Sequence, residues 1–417
     1  MALSGAVASA QPLSAFLEAS DTYSFEQRQA RLEAERAAAA FGEHWGSLLP
    51  SVRAGAGWTY NQFDAVISVP DDSGTARTIT IVPRNQLDAQ LRLEVPVIDA
   101  SRWMVAASAA ATAEAAELER LAAGQRVRRA VVADFHQWVA ARGVVASAQR
   151  SLEVARRQLA QLEARQGAGV ATDLELERAR AEVERATQIL AEAEVLETTQ
   201  ARALKTLTGL EPTQPPQLPA EALDALLPLE RLETSLFELP QLRAAESLRG
   251  AAERATAAAA LALVPSVNAQ FTQRFTNATG FQNTNALYST GLELAWKLDV
   301  ATAQALRRQQ RSEALSSLTY ERLSAAARDQ LHSDWHRTRA ALVKVKAAEA
   351  QLVAARRARD LTDERRQAGV ATQLEAIQAD RDVFAAEVGA LQARCELGTA
   401  RRWLKLSAGL PLEEEPR

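Results

Sequence analysis

The sequence predicts a mainly α-helical fold with a small β part, built from two similar halves. The 417-residue chain is rich in Ala, Leu, Arg, Glu and Gln and contains only 5% aromatic residues, a composition that favours long packed helices. Apolar residues recur at alternating spacings of three and four over very long stretches, which is typical of helix–helix seams. Short motifs recur 200 positions apart, which indicates a two-fold internal repeat.

The repeat divides the chain into segments. Gly169-Val170-Ala171-Thr172 returns as Gly369-Val370-Ala371-Thr372, and the same offset of 200 aligns Asp-x-His at 134–136 with Asp-x-His at 334–336. Six prolines lie between 211 and 240, and proline interrupts helices. We therefore assign 1–12 to a signal-peptide remnant or flexible terminus, 13–210 to the first repeat, 211–240 to a linker, 241–411 to the second repeat and 412–417 to an acidic tail.

Each half is expected to begin with an Ala-rich helix and to continue into a β-hairpin. The helices are predicted over 13–47 and 241–262, and the hairpins over 51–98 and 266–298. Period-two alternation with aromatics indicates strands. The predicted strands cover 52–60, 91–98, 267–275 and 287–298, and polar loops are expected over 64–77 and 276–285.

Two very long helices complete each half and reverse at a tip, over 167–173 and 367–373. Gly169 and Gly369 supply the left-handed residue that ends a helix. Thr172 with Glu175, and Thr372 with Glu375, fit the capping box that begins the next helix. A helix of about 60 residues would be ~90 Å long, so the helices are too long for a compact globule.

Four strands per chain pose a structural problem, because an isolated sheet has two open edges. Such edges are not tolerated in a bilayer. Closure between chains would remove them. Three chains would give a barrel of about twelve strands, wide enough for a channel, although two or four chains would also close.

These features together resemble the outer-membrane efflux protein family, the TolC-like exit ducts of tripartite pumps and type I secretion. The resemblance extends over about residues 13–411. It is carried by the paired Gly-x-x-Thr-x-x-Glu tips, by Gly-Leu at 209–210 and 409–410, by Pro-Ser at 50–51 and 265–266, and by the strand ends at 95–99 and 296–299.

The resemblance implies a homotrimer in the outer membrane. In that family the strands form a 12-stranded transmembrane β-barrel, and the long helical hairpins form an α-barrel in the periplasm. The implied partners are a periplasmic adaptor (membrane fusion protein), an inner-membrane transporter of RND or ABC type, and the lipid bilayer. The implied function is passive conduction of substrates from the pump across the periplasm and outer membrane.

Two features depart from the family pattern. Ala8-Ser9-Ala10 resembles the end of a secretory signal, but no positive charge precedes it. A truncated signal peptide and an ordinary flexible terminus therefore both remain open. In known members two acidic residues, three apart, ring the pore mouth at the second tip. Glu375 matches the first, and Gln378 replaces the second.

The tips are the main candidate sites. Val170, Ala171, Val370 and Ala371 are apolar, which a turn that faces only water would not require. We expect the two Gly-Val-Ala-Thr tips to dock on the adaptor, with a plain helix turn as the alternative. Glu175 and Glu375 are expected to cap helices, and three copies of Glu375, beside Gln378, would charge the periplasmic aperture.

Six aromatic residues in the predicted strands have two interpretations. They either fill a core or form the girdles that transmembrane barrels place at the membrane interface. These residues are Trp58, Tyr60, Phe271, Phe275, Tyr288 and Trp296.

Other functional classes find little support. The net charge of −4 removes the electrostatic case for nucleic-acid binding. A single cysteine, Cys395, excludes an internal disulfide. His332 and His336 have a metal-binding spacing, but no third ligand can be named, so a polar helix face is favoured. No catalytic motif or cofactor site is found, so an enzyme is not expected.

Two alternative functions remain at this stage. A soluble coiled-coil scaffold would explain the helices but not the aromatic hairpins. A periplasmic adaptor would have one helical hairpin rather than two at a fixed offset.

Overall fold

The computed structural model describes residues 11–70, 76–214, 226–282 and 284–412. The proposed signal remnant, the linker and the acidic tail therefore lie partly outside the described residues. The helices are α1 (Leu13–Tyr23), α2 (Phe25–Gly46), α3 (Ala100–Gly167), α4 (Asp173–Thr208), α5 (Leu229–Glu233), α6 (Pro240–Leu261), α7 (Val300–Gln367) and α8 (Gln373–Ser407). The strands are β1 (Ser51–Tyr60), β2 (Ala65–Pro70), β3 (Ala76–Val82), β4 (Asn85–Ile98), β5 (Ser266–Thr276) and β6 (Ala286–Ala295).

The first predicted helix, over 13–47, is wrong as a single element. It is divided at Ser24, whose φ of −54° and ψ of 131° take the backbone out of the helix. Serine hydroxyls compete with helical hydrogen bonding, and the Ser20 hydroxyl donates to the Leu17 carbonyl at 2.7 Å just before the break. The second half keeps one helix, α6.

A four-stranded antiparallel sheet has the order β1-β4-β5-β6, which confirms the prediction of four strands from two hairpins. Ser51 pairs with Glu94 in the first hairpin, and Ser266 pairs with Ala295 in the second. The hairpins join where β4 meets β5, with Leu93 opposite Phe271. Within this sheet, β1 and β6 are the edge strands.

The prediction of a polar loop over 64–77 is wrong, although its residues 71–75 lie outside the described part. β2 and β3 form a separate two-stranded sheet, in which Ile67 pairs with Ile79. Their sequences, AVISVP and ARTITIV, are rich in β-branched residues, which favour strands.

The long helices match the prediction. α3 and α7 each contain 68 residues, and α4 and α8 contain 36 and 35. Residues of the predicted seams are buried: Leu152 and Ala155 of α3 pack with Ala186 of α4. In the second half Ala341 and Val345 pack with Leu397. Among the described helices, none has an apolar stretch long enough to cross a membrane.

Two compact units form, and each draws on both halves. One comprises residues 1–32, 118–243 and 322–417, and the other comprises 33–117 and 244–321. The first unit contains the tips and the main cores, including Phe16, Phe135 and Trp138 with ring centroids 5.7–6.1 Å apart. The second unit contains the four-stranded sheet, and the Ser108 hydroxyl of α3 donates to the Ala251 carbonyl of α6 at 2.8 Å.

Candidate functional site

The two helical tips have nearly the same backbone geometry. Gly169 and Gly369 have φ values of 75° and 73°, a left-handed conformation that glycine adopts without steric penalty. The Val170 amide donates to the Arg165 carbonyl at 2.9 Å, and the Val370 amide donates to the Arg365 carbonyl at 2.8 Å. These bonds satisfy carbonyls that the ending helix leaves free. Both chain reversals are therefore rigidly defined.

A complete capping box follows each turn. The Thr172 amide donates to Glu175 Oε2 at 2.9 Å, and the Glu175 amide donates to Thr172 Oγ1 at 3.3 Å. At the second tip the corresponding distances, between Thr372 and Glu375, are 2.6 and 3.3 Å. Each box satisfies two amides at a helix start. The predicted capping role of both glutamates is thus present in the geometry.

The capping hydrogen bonds also set the charge of the tips. The bond from the Thr172 amide is the main reason that the pKa of Glu175 lies below its ordinary value, and the bond from the Thr372 amide does the same for Glu375. Hydrogen bonds to a carboxylate favour its charged form. Both side chains are therefore negatively charged near neutral pH, so capping does not remove the charge that an aperture would use.

The outer surface of each tip is apolar. Val170 is 65% exposed and Val370 is 66% exposed. Ala171 is partly buried against Leu162 and Leu176. The structure adds Leu174 and Leu374 to this surface, both exposed, which the sequence analysis did not single out. Their signal in the sequence is a leucine two residues after each capping threonine, in the first turn of the helix.

A groove between α7 and α8 begins at the second tip. Glu375 and Gln378 line it, together with Ala371 and with Asp382, which the sequence analysis missed. Asp382 lies seven residues after Glu375, so it returns to the same helix face. The groove therefore contains two carboxylates and the guanidinium of Arg365, and Gln378 replaces the second residue of the acidic pair expected from the family pattern.

The first helical hairpin, α3 with α4, has different residues at the positions equivalent to Gln378 and Asp382. Arg178 stands where the second has Gln378, and Glu182 stands where it has Asp382. Glu182 accepts hydrogen bonds from Arg381 Nε at 3.0 and 3.1 Å. That carboxylate joins α4 to α8 and is not available as a second groove charge. The acidic groove is thus a property of the second hairpin.

The six aromatics are all exposed in the single chain, from 39% for Phe271 to 74% for Tyr288. The prediction that Trp296 lies in a strand is wrong, because β6 ends at Ala295. The rings of Phe271 and Tyr288 stack on neighbouring strands with centroids 6.2 Å apart. Alternate residues of a strand point to opposite faces, and the sheet register places the five aromatics that lie in strands on one face. That face also carries Val52, Leu87, Leu91, Leu93, Leu292 and Leu294, whereas Arg53, Asp88, Gln90, Arg92, Glu94, Gln270, Arg274 and Glu293 occupy the other.

Three of the four histidines make contacts within the chain. His332 Nε2 lies 2.5 Å from Glu233 Oε1, and the exposed His336 ring packs edge-on against Trp335. His136 is buried, with Nδ1 2.8 Å from the Val132 carbonyl. In the described part of the chain no three His, Cys, Asp or Glu residues are grouped as metal ligands.

Asp334 lies at the centre of a buried polar network between α3, α7 and α8. Its carboxylate accepts two bonds from Arg129 Nη2, at 2.9 and 2.8 Å, and others from Gln330 and Ser407. The Arg129 guanidinium lies 4.4 Å from the Trp403 ring centroid. The network fixes three helices relative to one another within this unit.

Comparisons with known proteins place these features in one group. A model of the family described as "Outer membrane efflux protein" matches residues 24–210 and 232–410. No curated protein matches the chain.

Several solved structures share the fold. The CmeC outer membrane channel of Campylobacter jejuni is 17% identical, covers 95% of this chain and 85% of its own, and superposes with a TM-score of 0.82. VceC of Vibrio cholerae is 16% identical, with coverages of 96% and 97% and a TM-score of 0.80. The open state of the MtrE channel of Neisseria gonorrhoeae is 19% identical, with coverages of 95% and 89% and a TM-score of 0.75.

Proposed function

Since the chain belongs to the outer membrane efflux protein family and serves as an efflux exit duct of the outer membrane, we propose that it works as a homotrimer docked on a periplasmic adaptor. The adaptor would link it to an inner-membrane transporter of RND or ABC type. The single observation that carries closure between chains is the four-stranded sheet, which has one apolar face, one polar face and two open edges. The number of three chains is what the family implies.

Closure of three sheets would remove all open edges. Twelve strands would form a transmembrane barrel with a water-filled lumen. The aromatic face would meet lipid, so that Trp58, Tyr60, Phe271, Phe275, Tyr288 and Trp296 lie near its interfaces. The polar face, with Arg53, Arg92 and Glu293, would line the lumen.

The tips are the proposed docking surface for the adaptor. Val170, Val370 and Leu174 are each at least 60% exposed, and burial of a valine or leucine side chain contributes about 1.5–3 kcal/mol. Apolar contact at two turns per chain would give the adaptor six positions around a trimer, three at each kind of tip. The duct itself would then supply no energy and conduct passively.

The acidic groove is the proposed aperture lining. Three copies of Glu375 and Asp382, offset in part by three copies of Arg365, would give the periplasmic end a net negative charge. Such a ring attracts cations and repels anions. Adaptor docking would shift the helices around this ring between closed and open arrangements.

The first test is the native mass of the protein extracted in detergent from outer membranes, after expression with a secretion signal. A mass of three chains supports the proposal. A monomer or dimer of this chain in that fraction contradicts it.

Docking is tested with purified adaptors, one from an RND pump and one from an ABC exporter. We expect Val170→Ser with Val370→Ser to weaken binding at least about tenfold, because the lost apolar burial exceeds the 1.4 kcal/mol that a tenfold change requires. Val195→Ser is the matched control, since Val195 is 67% exposed on α4 away from the tips. Equal binding of the tip variant and the control contradicts docking at the tips.

The aperture is tested by planar-bilayer conductance. Glu375→Gln with Asp382→Asn should reduce the preference for cations over anions. Glu364→Gln, an exposed change on α7 outside the groove, should leave the preference unchanged. Unaltered ion preference in the double variant would remove the groove from the conduction path.

A further inference from the structure

The sheet contains, inside one chain, a copy of the junction that would form between chains. β4 of the first hairpin pairs with β5 of the second. In that pair, the second strand of one hairpin lies beside the first strand of another. In a closed ring, β6 of one chain must meet β1 of the next, which is the same kind of junction. We propose that β6 pairs with β1 of a second copy in the register set by β4 and β5, with Leu292 opposite Trp58. This inference rests on the proposed homotrimer.

The register follows from the equivalence of the two hairpins. Ser51 pairs with Glu94, and Ser266 pairs with Ala295. β5 therefore lies 215 positions after β1 (266 minus 51), and β6 lies 201 positions after β4 (295 minus 94). Pro-Ser begins both first strands, at 50–51 and 265–266, which supports the same alignment.

These offsets transfer the internal junction to the junction between chains. Leu93 opposite Phe271 becomes Leu294 opposite Ala56 of the second copy. The neighbouring pairs on the same face are Thr290 with Tyr60, Leu292 with Trp58, and Trp296 with Ala54. On the other face Gly291 meets Thr59, Glu293 meets Gly57, and Ala295 meets Gly55.

The arrangement of faces agrees with this register. A shift by one residue would place apolar side chains of one strand beside polar side chains of the other. In the proposed register, Leu292 and Leu294 lie on the same face as Trp58 and Ala56. Leu292 is 75% exposed and Trp58 is 64% exposed in the single chain, so each would cover apolar area that the chain leaves open.

The strand ends give a second, independent agreement. The β4–β5 register shifts between Pro96 and Ile98, where β4 contains one extra residue. Beyond that bulge, Asp99 and Asp299 occupy equivalent helix starts, accepting hydrogen bonds from the amides of Arg102 at 3.0 Å and Thr302 at 2.7 Å. Their offset is 200 rather than 201.

The bulge explains this change of offset and extends the register. The internal pair of Ile98 with Val267 transfers to Leu298 with Val52, which continues the series without a shift. β6 ends at Ala295 in the single chain. Pairing with a second copy would extend it through residues 296–298.

One pair in this register is unfavourable by itself. Lys297 lies opposite Arg53, and like charges directly opposite are destabilising. Lys297 Nζ lies 3.2 Å from Asp299 Oδ2, which compensates its charge.

The rival register, shifted by four residues, would place Glu293 opposite Arg53, Leu292 opposite Ala54 and Leu294 opposite Val52.

Cysteine pairs distinguish the two registers. The proposed register is tested by Ala56→Cys with Leu294→Cys, and the rival by Ala54→Cys with Leu292→Cys. Each double variant replaces one alanine and one leucine on the same face, so the two are matched. Because hydrogen-bonded and non-hydrogen-bonded pairs alternate along antiparallel strands, the adjacent pairs Gly55→Cys with Ala295→Cys and Arg53→Cys with Glu293→Cys are made as well.

The readout is the full-length protein in outer membranes, oxidised and separated under non-reducing denaturing conditions. Burial raises the pKa of the native Cys395 thiol to about 12, so this thiol is unreactive, and single-cysteine variants control for it. We expect bands of two and three linked chains from the 56/294 or 55/295 variants. The rival pairs should give at least about fivefold less product, because a disulfide needs Cα atoms within ~7 Å.

Each other outcome has a definite meaning. Cross-linked bands from the rival pairs alone overturn the proposed register but leave the trimer intact. Failure of all pairs in a protein whose native mass is three chains also overturns the register. Failure together with a monomeric native mass overturns the homotrimer of the proposed function.

Discussion

The Asp-x-His motif occurs at equivalent positions of α3 and α7, with opposite burial. In α7, Asp334 is buried and held by Arg129, while His336 is exposed. In α3, His136 is 3% exposed, and Asp134 is half-buried. The two halves share a local sequence but turn different faces toward the interior of their unit. Similarity at a repeat position therefore does not imply the same role.

The largest expected effect comes from breaking the buried pair on one side only. Asp334→Ala would leave the Arg129 guanidinium, 26% exposed, without its carboxylate. Breaking a buried pair from one side destabilises by about 3–5 kcal/mol. Guanidinium unfolding followed by circular dichroism measures this change.

Asp134→Ala is the matched control. Burial raises the pKa of the Asp134 carboxyl, so removing it relieves a desolvation penalty. We expect unchanged or slightly higher stability. A loss as large as that of Asp334→Ala would show that the two aspartates are equivalent after all, and the comparison would fail.

The buried histidine gives the next effect. Gly398→Ala on α8 would place the new Cβ 2.7 Å from Nε2 of His136, which is too close for a non-bonded contact. Overpacking of this kind destabilises by about 1–3 kcal/mol. Gly389→Ala on the same helix meets nothing within 4 Å and should stabilise by up to about 1 kcal/mol. Thermal unfolding of the two variants in opposite directions is the expected result.

The tips should respond equally, because their capping boxes match. Thr172→Ala and Thr372→Ala each remove the hydroxyl that caps the Glu175 or Glu375 amide. Loss of such a cap typically destabilises by about 1 kcal/mol. Hydrogen exchange of those two amides measures it. A difference of more than tenfold between the tips would contradict their equivalence.

The smallest effect is the pH dependence of the tips. The folded pKa of Glu175 and of Glu375 is below the ordinary value of 4.5. The carboxylate contribution is therefore fully present above pH 4.5 and is lost as pH falls through the lowered pKa. Exchange of the Thr172 and Thr372 amides, which donate to the Glu175 and Glu375 carboxylates, should accelerate at acid pH relative to amides in the middle of α4 and α8. Glu175→Gln and Glu375→Gln should remove the acid-dependent part.

Much of this architecture could be predicted because its signals are local. The tips depend on Gly169, Gly369 and residues within six positions of them, so their turns and caps could be read directly. The long seams repeat the same spacing many times. Both kinds of signal can be recognised in the sequence without knowledge of the tertiary fold.

Other features depend on contacts between distant segments. Asp334 and Asp134 cannot be distinguished by sequence, because the distinction comes from Arg129, about 200 residues away from Asp334 in the chain. Asp382 lies outside the three-residue spacing that relates Glu375 to Gln378, and it returns to the same helix face only after seven residues. The β2–β3 hairpin was missed because turn residues obscured two short β-branched segments.

The bulge at Pro96–Ile98 has a consequence for how this chain tolerates insertion and deletion. An extra residue inside a helix rotates everything after it by about 100°, which would turn the seam of α3 away from its partners. The extra residue of β4 is instead confined to the strand end, and Asp99 restarts the helix in phase with Asp299. Strand length can therefore differ between the two halves without a change of helix phase.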